Sequence, residues 1–550
     1  MERLLEEERY FVPFLFVFSL LLYLSFLGHR DLWAPVEPRY GEIVRVMFAK
    51  GEWIVPTVNG RLYTDKPILF FWLVLVFSHL VGAVTEWTVR LPSALSAVGL
   101  VLLTYRFGKD NFDTKVGQLA ALILATTTRV VWEARWAHTD MLFTFFFTAS
   151  VFFLLKGWHR GGEGISGKEI VLGYGSMGLA TLTKGMIGFV LPGLIFLFLW
   201  ILGRDIRKLS RLGLPWGLGV FLLVTAPWFV AVGLATQGQW VSDFLWTHHV
   251  QRYLAGLGHR EPFYYYPFNL FLDFLPWSLF FIVAAIAYWP DRKTRLQPVV
   301  LSLTTWFAAV FLFFSLSDTK RGLYLLPLYP PVALWVAWAL ADCERSDREG
   351  VRRFLKALSG FFLGALALAA VAVPVVMSWL RPDLLPGSIF LGLVLIIGAV
   401  LSYGAFRNDR FSLGSLSLSG TILAGTLCNG LWIFPVIDQY KSPRIMASKV
   451  RERVSPGDSL YIYANRMNSF NFYLEREVIP VLAGPEEVGR LEVGKKLPYL
   501  LVRERDLRRG LVGPDQKWET IVEGSAGSKR WKLLRLKKLH RAGGATSPAL

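Results

Sequence analysis

Ile68-Leu69-Phe70-Phe71-Trp72-Leu73-Val74-Leu75-Val76-Phe77-Ser78-His79-Leu80-Val81-Gly82-Ala83-Val84 is the stretch on which the topology of this chain turns. It is apolar enough to cross a bilayer, and whether it crosses decides the side on which every later loop falls. If it crosses, Arg106, Lys109 and Lys115 lie outside and the later loops alternate with the wrong sign. If it lies along the interface as a monotopic helix, the signs come right. The interfacial reading is adopted, with Glu42–Lys50 as a second, shorter interfacial helix in the same long loop, His29 to Arg90.

Outward from that loop, runs of ~20 apolar residues recur along the 550-residue chain, which is 53% hydrophobic and holds 21 Trp. Thirteen spans are expected: Phe11–Gly28, Leu91–Phe107, Val116–Val131, Met141–Leu155, Ile170–Thr183, Ile187–Leu202, Leu214–Ala235, Asn269–Trp289, Pro298–Leu316, Gly322–Ala341, Phe354–Trp379, Ser388–Phe406 and Leu413–Ile437. The first has no small-residue cleavage site behind it and reads as a retained anchor. The fold class is thus a polytopic α-helical membrane protein, with residues 1–437 as its membrane domain and the loop 29–90 as the candidate catalytic segment.

Charge sorts the loops. Arg106/Lys109/Lys115, Lys156/Arg160/Lys168, Arg204/Arg207/Lys208/Arg211, Arg292/Lys293/Arg295, Arg345 to Lys356 and Arg407/Arg410 fall on one side, taken as cytoplasmic with the N-terminus. The net charge of +18 follows from this bias. No basic helix or RNA-binding motif accompanies it, so nucleic acid is not an expected partner. Cys343 and Cys428 fall in a cytoplasmic loop and a span, which argues against a disulfide or a cysteine metal site.

An odd span count places the C-terminus outside. Residues 438–540 read as a small extracytoplasmic α/β domain. Its strands are expected at Ser459–Ala464, Val478–Leu482, Tyr499–Val502, Trp518–Val522 and Trp531–Leu536, with helices at Asn468–Leu474 and Pro485–Leu491. Residues 541–550 read as a disordered tail. Gly173-Tyr174-Gly175-Ser176-Met177-Gly178 matches a dinucleotide fingerprint but sits inside a hydrophobic span, where small residues serve helix packing.

On the outer side, Arg39, Lys66, Lys184, Arg252 and Lys320 stand against the charge bias. Together they are what a phosphate headgroup requires, since Arg and Lys neutralise and orient its oxygens. Glu37, Asp65 and Asp140 share that side and are candidate proton acceptors for an acceptor hydroxyl. Asp140 also suits the first turn of its helix, and Asp65 suits a pair with Lys66. His248, His249 and His259 lie in the loop Thr236–Pro267. Adjacent histidines on a helix point apart, so this pattern offers only weak ligands, and a divalent metal is not favoured.

These residues carry a resemblance. Val36-Glu37-Pro38-Arg39-Tyr40 is similar to the Asp-Glu-x-Arg-Tyr motif of bacterial C-type glycosyltransferases of the protein O-mannosyltransferase superfamily, lipid A aminoarabinose transferases above all. Lys66-Pro67-Ile68 stands where that family has Lys-Pro-Pro. The likeness continues through Arg135–Asp140, Lys184-Gly185, Arg252 and Lys320 to Tyr324-Leu325-Leu326-Pro327, across roughly the first 340 residues. One departure is plain: the family's usual catalytic aspartate falls at Val36.

The resemblance implies an inverting transfer of a sugar from a polyprenyl phosphate to a lipid, glycan or protein acceptor at the outer face of the inner membrane. Arg39, Lys66, Arg252 and Lys320 would hold the donor phosphate. Tyr40, Lys184 and Tyr324 would line the substrate site, and Asp140, Glu37 or Asp65 would take the proton. The rivals are a phosphate-headgroup transporter, which would keep its charges on broken helices at the bilayer midplane, and an oligosaccharide ligase or polymerase.

Overall fold

The computed structural model describes residues 7–160, 164–204, 207–246, 261–262, 264–288, 297–345, 348–464, 467–491, 498–508 and 518–536. The chain divides into two units. One comprises residues 1–30, 51–56 and 62–436, the other 31–50, 57–61 and 437–550.

The first unit is helical, because the sequence supplies apolar runs bounded by capping residues. Thr85 and Thr88 form a capping box at the start of Glu86–Asn111, as Ser166 and Glu169 do for Gly167–Lys184. Asp113 caps Thr114–Ala125 by accepting the Val116 N–H at 3.0 Å. All thirteen expected spans coincide with helix, but they are not alike. Among the described residues eight are long and apolar enough to cross a membrane, or nine if Tyr265–Asp273 and Ser278–Ile286 form one span bent by 114°. The other four, Glu8–Leu24, Thr114–Ala125, Gly167–Lys184 and Ile187–Gly203, have 17, 12, 18 and 17 residues. At ~1.5 Å per residue three of them reach ~18–26 Å, under the ~30 Å of a hydrocarbon core, whereas Gly167–Lys184 is as long as Pro298–Ser315 but carries Lys168, Glu169 and Lys184.

Two expected spans break for local reasons. Thr126 and Thr127 turn their hydroxyls back to the carbonyls of Leu122 (2.6 Å) and Ile123 (2.8 Å), and a separate helix, Thr128–Ala134, follows. The bend between Tyr265–Asp273 and Ser278–Tyr288 falls at Pro276, which has no N–H to continue a ladder. Leu69–Val81 has 13 residues, ~20 Å at the same rise, again short of the ~30 Å core. Within the Gly173–Gly178 stretch, a Cβ at Gly178 would stand 2.9 Å from Val224 Cβ, so the glycine there lets two helices approach.

The end of the first helix is closed by arginines rather than by a glycine cap. Arg135 donates to the carbonyls of Leu22 (2.9 Å), Tyr23 (3.3 Å) and Ser25 (2.7 Å). Arg90 donates to those of Leu27 (2.8 Å) and Arg30 (2.6 Å), and the Arg30 guanidinium lies 4.2 Å from the Trp136 ring centre. The last carbonyls of a helix lack intrahelical partners, and these cations supply them.

The second unit contains a five-stranded sheet. Its strands are β1 (Leu460–Tyr463), β2 (Val481–Leu482), β3 (Tyr499–Arg503), β4 (Trp518–Ala526) and β5 (Lys529–Leu536), in the order β2-β1-β3-β5-β4. β1 pairs parallel with β2 and β3, while β5 runs antiparallel to β3 and β4. Trp531, Phe470, Ile462, Leu501 and Met446 fill one face. Part of the first loop folds into this unit. The Asp31 N–H donates to Asp438 (2.9 Å), Leu32 N–H to the Tyr473 hydroxyl (2.8 Å) and Ile479 N–H to Asn59 (2.8 Å). The loop 29–90, read from sequence as one segment of a membrane domain 1–437, is therefore shared between the two units.

Candidate functional site

The helices Thr139–His159 and Gly167–Lys184 follow one another and pack together, so the start of the first lies beside the end of the second. Asp140 occupies the first turn of one and Lys184 the last turn of the other. Each helix dipole favours the charge it receives. The two side chains form a close ion pair, with only 9% and 7% of their surfaces exposed. Lys184 Nζ also faces two rings, 5.1 Å from the centre of Phe143 and 4.9 Å from that of Tyr324. Tyr324 is held by stacking on Phe314 at 5.1 Å.

Lys66 lies half-buried beside Asp65, its Nζ donating to the Asp65 carbonyl (3.2 Å) and carboxylate (3.4 Å). The Tyr63 hydroxyl donates to the other Asp65 oxygen at 3.3 Å. Lys184 and Lys66, and His138 whenever it is protonated, act on the Asp140 carboxylate, which brings these groups into one electrostatic neighbourhood. Lys320 is buried and donates to the Ser317 carbonyl at 2.8 Å.

Of the sequence-predicted residues, the first unit thus assembles Asp140, Lys184, Tyr324 and Lys66, with Asp65 on Lys66. Glu37, Arg39 and Tyr40 belong to the second unit, in the helix Glu37–Lys50. Glu37 is fully buried and accepts the Trp33 N–H at 3.1 Å; Tyr40 is buried and Arg39 half-buried. Arg252, His248, His249 and His259 lie outside the described residues. Among the described residues no group of three or more His, Cys, Asp or Glu side chains is placed to hold a metal.

Sequence reasoning passed over Glu133 and His138. His138 lies within the Arg135–Asp140 stretch, where the sequence marks it for no role, and Glu133 lies two residues before that stretch. Their Nδ1 and Oε2 are 2.8 Å apart. The available signal was a carboxylate five residues before a histidine, across a helix end, and that spacing alone singles out nothing.

Residues 65–230 match the model of the dolichyl-phosphate-mannose-protein mannosyltransferase family, a range that takes in Asp65, Lys66, Asp140 and Lys184. The chain is 34% identical to the undecaprenyl phosphate-alpha-4-amino-4-deoxy-L-arabinose arabinosyl transferase of Aeromonas salmonicida, over 65% of this chain and 64% of that relative's own length. It is 32% identical to the enzyme of that name from Pectobacterium carotovorum, over 74% of this chain and 72% of the relative. The fold is that of the crystal structure of ArnT from Cupriavidus metallidurans bound to undecaprenyl phosphate, with a TM-score of 0.79 at 22% identity, over 98% of this chain and all of that one. The archaeal oligosaccharyltransferase AglB of Archaeoglobus fulgidus shares it more distantly, at 13% identity and a TM-score of 0.54 over 90% of this chain and 70% of that one. A multi-pass helical membrane protein with the motifs Glu37-x-Arg39-Tyr40 and Lys66-Pro67, this chain belongs to the family of undecaprenyl phosphate–aminoarabinose arabinosyl transferases.

Proposed function

We propose that the chain transfers a sugar from a polyprenyl-phosphate donor to a lipid or glycan acceptor, with inversion at the anomeric carbon because a single displacement reverses it once. The observation that carries this reading is the buried Asp140–Lys184 pair with Lys66 in its neighbourhood and the Phe143 and Tyr324 rings beside it. A cation fixed at a helix end in a mostly buried setting stabilises negative charge as it develops on the leaving phosphate. Lys66, Lys184 and Lys320 are the first unit's phosphate-binding set. Asp140 holds Lys184 in place. The family name supplies the donor class: undecaprenyl phosphate carrying a 4-amino-4-deoxypentose. The site faces the outer side of the inner membrane, with the N-terminus cytoplasmic and the unit after Ile437 extracytoplasmic.

Purified protein in detergent, given undecaprenyl phosphate bearing a radiolabelled aminoarabinose and an envelope glycolipid extract, should move label covalently onto the extract. Release of intact donor with no new covalent product would instead mark a headgroup carrier and overturn the reading.

A further inference from the structure

Next to the Asp140–Lys184 pair runs a second chain of polar groups that the phosphate site does not use. The Tyr329 hydroxyl donates to Asp273 Oδ2 at 3.3 Å. Asp273 Oδ1 accepts from Arg129 Nη2 at 2.7 Å, and Arg129 Nη1 donates to Glu133 Oε1 at 3.3 Å. The other Glu133 oxygen meets His138 Nδ1 at 2.8 Å. Glu133 is 1% exposed, whereas the His138 ring keeps 15% of its surface. The chain thus passes from a sealed carboxylate to a partly open imidazole.

Its charge decides what that imidazole is suited to do. One guanidinium stands between two carboxylates, and the second of them, Glu133, turns its other oxygen to the ring. A proton taken up by His138 would sit one hydrogen bond from Glu133. Asp140, on which His138 also acts, is already paired with Lys184 and gains less from a proton. Glu133 and Asp140 are among the groups that act on the ring, and both favour the imidazolium. Position is fixed as well as charge. Ser93 Oγ donates to the His138 carbonyl at 3.0 Å, and the His138 N–H donates to Trp136 O at 2.8 Å. His138 is the residue before the Thr139–His159 helix, so it sits at the helix end that carries Asp140.

We propose that His138 is the proton acceptor for a hydroxyl acceptor, with Glu133 as its positioning residue; this rests on the transferase reading above. Glu133 accepts a hydrogen bond from Nδ1–H, which leaves Nε2 as the basic nitrogen. As the acceptor oxygen bonds to the anomeric carbon, its proton passes to Nε2. The bond from that carbon to the donor's phosphate oxygen breaks, and its electron pair leaves with polyprenyl phosphate. The imidazolium then returns its proton to water.

The test uses the full-length protein in detergent with the labelled donor and glycolipid extract described above. H138Q and H138A should lose turnover by ~10²-fold or more, the usual scale for a general base, while the KM for donor and the thermal shift given by undecaprenyl phosphate stay at wild-type values. Added imidazole should restore part of the turnover of H138A, which a structural defect would not allow. E133Q, which removes the charge but keeps the shape, should lose ~10-fold in kcat with KM unchanged, a smaller fraction of that general-base effect. Turnover of H138Q within threefold of wild type overturns the proposal, and so does loss of donor binding together with turnover. If wild-type protein itself transfers no label from the polyprenyl-phosphate donor, the transferase reading falls, and this assignment with it.

Discussion

Two clusters of cations lie in the membrane unit, and they are bound in opposite ways. Arg90 and Arg135 donate to backbone carbonyls around the end of the first helix, with Arg30 stacked on Trp136 close by. Lys184 and Lys66 meet carboxylates and rings instead. A guanidinium spread over several carbonyls has no partner it can exchange without reopening a helix end. A lysine on a carboxylate can turn toward a phosphate while the carboxylate still neutralises it. Burial, together with the neighbouring Arg30 and Arg90, pushes the Arg135 guanidinium down to about 10, so it remains charged at neutral pH. The arginine cluster accordingly holds the fold, and the lysine cluster is the one we propose for chemistry.

That distinction breaks first if stability and activity do not separate. R135M should lower stability by ~4 kcal/mol, because three charge-assisted hydrogen bonds to carbonyls are lost. Denaturant unfolding in detergent measures it, and protein that stays folded at low temperature should keep its donor KM. A midpoint equal to wild type would remove the structural role. Next in size, D140N and K184Q should each reduce turnover by ~10²-fold, about 2.7 kcal/mol on the transition-state scale. If Asp140 acts by holding Lys184, the double variant should lose little more than either single one, since residues acting as a unit are not additive. Losses that multiply would give Asp140 a separate task.

How much of this was legible beforehand follows the same division. Apolar periodicity located every helix that was expected as a span, since hydrophobic length is written locally. Loop charges were needed only to assign sides. The strands β3 and β5 fall within a few residues of the positions expected from alternation at Tyr499–Val502 and Trp531–Leu536. The breaks at Thr126–Thr127 and Pro276 were not anticipated, because one hydroxyl bonding back or one missing N–H outweighs a run of apolar residues. Single residues of the proposed site were legible by type: Lys184 and Asp140 stood out as charges beside apolar runs. Their pairing, and the Glu133–His138 contact, depend on which helix ends lie side by side, and no spacing in the chain states that. The division of the first loop between two units was invisible for the same reason, resting on contacts such as Asp31 with Asp438 across 407 positions.

A third arrangement, in the second unit, tests the comparison from another side. Glu42 is fully buried and receives both Nε and Nη2 of Arg45 at 2.7 Å, a carboxylate that has its cation and yet lies away from water. Burial outweighs the guanidinium here and pushes the Glu42 carboxyl up from 4.5 to about 7. The sign follows from proton counting. Between those values the folded protein keeps a proton that the unfolded chain has lost, so stability is full below pH 4.5, falls as pH rises through 7 and is level above it. The fall between pH 5 and pH 7 should be about 2 kcal/mol, from RT-scaled occupancy of the two states. E42Q, which cannot ionise, should remove that slope and be the more stable protein at pH 7.5 relative to its own value at pH 5. Denaturant midpoints of the full chain at the two pH values measure both effects. An unchanged slope in E42Q would mean that Arg45 keeps Glu42 ionised throughout, and that burial does not outweigh the guanidinium.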